Sequence, residues 1–239
     1  MDASVNTPAV RARRGVCVLV AAVVPFLSSL FYFVIFSESA LAQAIYSGTK
    51  LFTLIWPFVV YRYLLRVKLP TFPLLRRADQ GVVWGVASGL AVSILLVGLY
   101  LSTALGDVVV AAAPAIRAKA TTLGILGYYV PFAIFLACFH SLIEEYYWRW
   151  FVYGEIRGLI GNGFRAHLLA ALAFSLHHMV IATQFFPLLY GLLFGLSVGV
   201  GGVLWSALYE KTNSLLGSWI SHIIVDLCIL GVGYNLIIR

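Results

Sequence analysis

The chain has 239 residues, of which 62% are hydrophobic and 10% charged, with a formal net charge of +7 and a mean hydropathy of +0.97. A soluble domain carries about 25% charged residues and at most about half apolar ones, so the composition excludes a water-soluble globular domain and implies an integral membrane protein. The positive charge does not argue for nucleic acid, because Lys and Arg are scattered in short loops between apolar spans rather than gathered into a stripe, and act there as topology determinants.

In chain order, residues 15–36 are the first charge-free run, preceded by Arg11, Arg13 and Arg14. The stretch "SESALAQA" that follows offers a small-x-small pattern at Ala40 and Ala42, as a signal peptidase would need. The apolar run is 22 residues long, beyond the about 7–15 of a signal peptide, so it is read as a retained first helix. Further spans are expected at about 45–65, 81–105, 122–150, 166–184, 185–209 and 214–238. A helical span needs about 20 apolar residues. Residues 166–209 contain no Asp, Glu, Lys or Arg and are too long for one span, and Pro187 in "QFFPLLYG" breaks them into two. The expected architecture is therefore all-α and polytopic, about seven transmembrane helices, with a re-entrant or interfacial segment at 107–120 as an eighth element.

Charge orients the bundle. With the N-terminus inside, the cytoplasmic segments hold Arg11, Arg13, Arg14, Arg62, Arg66, Lys68, Arg76, Arg77, Arg157, Arg165 and Lys211, against only Arg117 and Lys119 outside. The positive-inside rule favours this arrangement. The longest inside loop, "RVKLPTFPLLRRAD" at 66–79, suits an anionic membrane surface. Gly191, Gly195 and Gly199 in "GLLFGLSVG" permit close helix contact, read as packing within the chain rather than dimerisation. Cys17, Cys138 and Cys228 lie in apolar spans without CxxC spacing and are read as packing residues. With no internal repeat, residues 1–239 are read as a single membrane domain, comprising N-terminal helices and a basic loop at 1–121 and a catalytic half at 122–238.

Ionisable residues inside spans mark a function, a pathway or a buried pair. Here they are Glu144, Glu145, Arg149, His177, His178, His222 and Asp226, with His140 upstream. A charged Asp, Lys or Arg at a helix centre costs about 2.5–3.5 kcal/mol. Glu145 and Arg149 stand four apart on one face and suit an ion pair, while Glu144 points about 100° away around the helix. One carboxylate is thus neutralised and the other left for general-base chemistry. His177 and His178 face different directions, so one of them is expected to enter a shared site. His222 and Asp226 are an i, i+4 pair. Glu144, His178 and His222, with or without His140, also compose a zinc ligand set of three protein donors. There is no HExxH, and the spacing permits a metal without requiring it.

The order of these groups carries a resemblance. "EEYYWR" fits EExxxR, "FSLHH" fits FxxxH from Phe174 to His178, and "HIIVD" fits HxxxN/D, on successive helices. The chain resembles the CPBP family, the CAAX proteases and bacteriocin-processing (Abi) intramembrane proteases, over roughly residues 122–238. The resemblance implies that Glu144 and His178 activate a water for attack on a peptide carbonyl, that His222 and Asp226 help stabilise the oxyanion, and that Glu145 and Arg149 support the site. The family often has Asn where this chain has Asp226, and the carboxylate is expected to orient His222. The family has been described both as metalloproteases and as glutamate proteases. The glutamate type, without a cofactor, is the expectation here, with zinc as the alternative.

The expected activity is endoproteolysis near a substrate's membrane-associated C-terminus or leader, on a prenylated CAAX tail or a C-terminal sorting signal. Two other classes compete: a non-catalytic membrane protein giving bacteriocin immunity by binding, and a proton-coupled transporter. The full Glu144, His178 and His222 set speaks against the first, and the missing repeat against the second. Short loops suggest a multi-pass protein of a bacterial inner membrane.

Overall fold

The computed structural model describes residues 7–36 and 39–238, and within the stretch weighed for cleavage Ser37 and Glu38 lie outside the described residues. Helix α1, Pro8–Ile35, ends in a wide π-helical turn. Thr7 caps it, its hydroxyl accepting from Val10 N at 3.4 Å, and Pro8 at the first helical position has no N–H to leave unpaired. Helix α2, Ala40–Val59, is capped by Ser39, whose hydroxyl accepts from Ala42 N at 3.1 Å. It continues as a π-helical turn over Val60–Leu64.

After the basic loop come α3, Ala78–Ser102, and two short helices, α4, Ala104–Ala111, and α5, Ala113–Thr122. The short pair occupies the segment expected to hold the extra interfacial element. The long α6, Leu126–Ile160, precedes α7, Phe164–Ala182, α8, Leu188–Thr212, and α9, Leu215–Ile238. The break between α7 and α8 falls at Pro187, which caps α8. Among the described residues there is no strand.

Among the described residues six helices, α1, α3, α6, α7, α8 and α9, are long and apolar enough to cross a membrane. The protein is a polytopic all-α membrane protein. The difference from the expected seven is α2, where Gln43 and Lys50 dilute the apolar run. Helix α6 is longer than the span expected at 122–150. Its 35 residues, at about 1.5 Å each, measure roughly 50 Å against a hydrocarbon core of about 30 Å.

Two glycine stripes fix the helices that carry the site. On α8, a Cβ at Gly191 would stand 2.7 Å from Thr183 Cα, and one at Gly199 would stand 2.9 Å from Ser175 Cβ. A Cβ at Gly195 would run into the Met179 backbone. The stripe is therefore spent on α7 within the chain. A second stripe, Gly81, Gly85 and Gly89 on α3, presses on α9, where a Cβ at Gly85 would stand 2.6 Å from Gly217 O. In lipid, where apolar surface alone gives helices no reason to associate, such backbone approach is a main source of packing energy. Polar bonds between helices add to it: Trp219 Nε1 donates to Cys138 O at 2.9 Å and Tyr147 OH to Ala21 O at 2.8 Å. The centre of the bundle is α6, whose Tyr147, Trp148, Trp150, Phe151, Val152 and Tyr153 are all buried. All three cysteines are free.

Candidate active site

Helix α6 is regular only over Ser141–Glu144 in its middle, between π-helical stretches at Leu136–His140 and Glu145–Tyr153. Such widened turns recur at functional sites, and here they sit directly beside the paired glutamates. Both carboxylates reach one imidazole, each at a different ring nitrogen. Glu144 Oε2 lies 3.6 Å from His222 Nε2, and Glu145 Oε1 lies 2.9 Å from His222 Nδ1.

Glu144 lines a cavity of about 120 Å³ between α1, α2, α6 and α7, roomy enough for water. His140 Nε2 stands 3.3 Å from Glu144 Oε1 and His177 Nε2 stands 3.9 Å from it. His178 also lines the cavity. Its Nδ1 is 3.0 Å from Phe174 O; a carbonyl only accepts, so Nδ1 carries the proton and Nε2 keeps its lone pair. One ligand atom from each of Glu144, His177 and His178 lies within 4.8 Å of the others. A water bonded at about 2.8 Å to two such atoms spans that separation.

Glu145 is fully buried and meets Arg149 Nη1 at 3.0 Å. The contact lacks hydrogen-bond alignment, since neither terminal nitrogen of Arg149 has a hydrogen-bond partner among the described residues. Aromatic rings hold the guanidinium instead: its carbon is 4.4 Å from the Phe174 ring centroid and 4.8 Å from that of Trp205. A desolvated cation over a ring is stabilised by about 2 kcal/mol. Phe174 thus supports both Arg149, through its ring, and His178, through its carbonyl.

Helix α9 brings His222, stacked on Trp205 with centroids 3.9 Å apart, and Asp226. Two carboxylates face this imidazole, Asp226 from its own helix and Glu145 from α6. Asp226 Oδ1 is 3.6 Å from His222 Nε2, and His222 Nδ1–H donates to Glu145 Oε1 at 2.9 Å. Asp226 is one turn along its own helix, whereas Glu145 approaches from α6 in line with Nδ1. Asp226→Asn is therefore expected to keep turnover within about threefold; a loss beyond tenfold would show that the charge at 226 is needed.

The structure brings together Glu144, Glu145, Arg149, Phe174, His178, His222 and Asp226, with His140 beside Glu144. His222 and Asp226 touch the glutamates from the α9 side and do not line the cavity. Two groups go beyond the expected set. His177 enters the cavity with His178, their rings 4.0 Å apart, so both histidines reach the site, not one. Lys50 of α2 lines it as well. A lysine within an expected span was the signal for it.

The metal reading changes accordingly. The compact donor set among the described residues is Glu144, His177 and His178, with His177 in place of His222. It has the carboxylate–imidazole chemistry of a zinc site, and His177 Nδ1 has no hydrogen-bond partner among the described residues. A zinc held there would lower the pKa of a bound water and polarise a carbonyl.

Comparison with known families adds one match: residues 126–228 fit the model of the type II CAAX prenyl endopeptidase Rce1-like family. Neither a curated protein nor a solved structure matches the chain. The matched segment spans α6 to most of α9 and contains Glu144, His178, His222 and Asp226.

Proposed function

We propose, from the match of residues 126–228 to the Rce1-like CAAX-protease family model, that this protein is an intramembrane endopeptidase acting on a membrane-associated protein near its C-terminus. A prenylated CAAX tail or a C-terminal sorting signal is the substrate class. The observation that carries the chemistry is Glu144: a carboxylate in a small cavity, faced by His140 and His177 at 3.3 and 3.9 Å, with its neighbour Glu145 already engaged by Arg149 and His222.

In this reading Glu144 and His178 hold a water between them, and Glu144 takes its proton as the oxygen attacks the scissile carbonyl carbon. The carbonyl electrons move onto oxygen, and the oxyanion is met by His222 Nε2 on the α9 side of Glu144. In its imidazolium form His222 donates from Nδ1–H to Glu145, which fixes the ring, and its second N–H, at Nε2, donates to the oxyanion. The proton taken up by Glu144 then passes to the leaving nitrogen as the carbon–nitrogen bond breaks. Arg149 sits against Glu145, and Glu145 in turn holds His222 in place.

The glutamate mechanism is the favoured form, because a carboxylate, an imidazole and one bridging water suffice. Proteolysis by the purified protein in liposomes is expected to be undiminished after exhaustive chelation. Loss of activity restored by added zinc would assign the metal form to Glu144, His177 and His178 instead.

A further inference from the structure

The cavity wall opposite Glu144 comes from outside the family-matched segment. Helix α1 contributes Ser28 and Ser29, both largely buried, and α2 contributes Thr49, Lys50 and Thr53. Lys50 is the only Lys or Arg among the described residues that line the cavity. A lysine in this setting is costly unless paired or functional. Among the described residues it makes no ion pair with Asp or Glu, and its recorded contact is the Tyr46 ring, 5.1 Å from Nζ. The threonines are occupied as donors within their own helix, Thr49 to Ile45 O at 2.9 Å and Thr53 to Lys50 O at 2.8 Å. An ammonium, which can only donate, and two serine hydroxyls, which can turn an O–H toward a ligand, line this wall and suit an anion.

We propose that Lys50 binds the free C-terminal carboxylate of the substrate, which makes it a specificity-determining residue. The proposal rests on the peptidase reading and deepens it. Lys50 and Glu144 line the same small cavity, and an extended chain advances roughly 3.3–3.6 Å per residue. A carboxylate held at Lys50 therefore leaves only a few residues between the chain end and the scissile bond. The enzyme would measure its cut from the C-terminus and reject internal sites, whose peptide groups offer no charge to Lys50.

The test uses the full-length protein in liposomes and a farnesylated peptide made with a C-terminal carboxylate or as the C-terminal amide. The wild type is expected to favour the acid at least tenfold in kcat/KM, mostly through KM. Lys50→Met should lower kcat/KM for the acid far more than for the amide and so remove that preference, and Lys50→Arg should restore most of it. Binding of both peptides to Glu144→Gln protein separates recognition from chemistry. Acid-selective binding that Lys50→Met abolishes supports the subsite even if the wild type cuts neither peptide, an outcome that would count against the peptidase reading alone. Equal binding of acid and amide, or a Lys50→Met loss shared by both, overturns it.

Discussion

Arg149→Met is expected to destabilise the protein by about 3–5 kcal/mol, the range for removing one partner of a buried ion pair. Arg149 and Glu145 are 2% and 0% exposed, so no water can replace the lost cation. Two effects add. The Glu145 carboxylate is left charged in an apolar interior, and the stack of Phe174, guanidinium and Trp205 loses its centre. Methionine fills part of the volume and isolates the charge effect from the packing effect. Glu145→Gln in the same protein should recover much of the loss, because the amide oxygen can still accept from His222 Nδ1 and no unpaired charge remains. Chemical denaturation in detergent of the wild type, both single variants and the double variant gives the coupling, expected between about 0.5 and 3 kcal/mol for residues in contact. Additive single effects would show that the pair is not a structural unit.

The second large effect belongs to Glu144. Glu144→Gln is nearly isosteric and should fold with wild-type stability, since the pocket around the carboxylate is polar and partly open. General acid–base groups contribute about 10²–10⁴ in rate, and kcat should fall by that factor with KM little changed. A fall in stability to match the fall in rate would recast Glu144 as a structural residue. The contrast with Arg149 is the diagnostic: one variant loses rate at constant stability, the other loses stability first.

How much of this was legible in the sequence varies residue by residue. The helical character, the break at Pro187 and the i, i+4 pairing of Glu145 with Arg149 follow from periodicity, proline chemistry and spacing. The stripe at Gly191, Gly195 and Gly199 was also readable, and its twin at Gly81, Gly85 and Gly89 has the same spacing. The clasp of His222 between two adjacent glutamates was not readable. The two carboxylates leave α6 about 100° apart, and only the fold places His222 of α9 between them, with a different ring nitrogen toward each. His177 fails for a related reason. Neighbours on a helix diverge by about 100°, but a cavity between four helices presents a wall wide enough to accept both rings. Lys50 was hidden by distance in sequence: only the fold carries α2 across to face α6.

The claim most open to direct test is that Glu144 drives hydrolysis of a peptide bond inside the membrane. Purified protein in liposomes would be given a farnesylated peptide with a free C-terminus, and the products identified by mass spectrometry. Release of a short C-terminal fragment by the wild type, at one bond, with Glu144→Gln slower by at least about 10²-fold, is the predicted result. Equal processing by the two proteins, or none by the wild type, would contradict it.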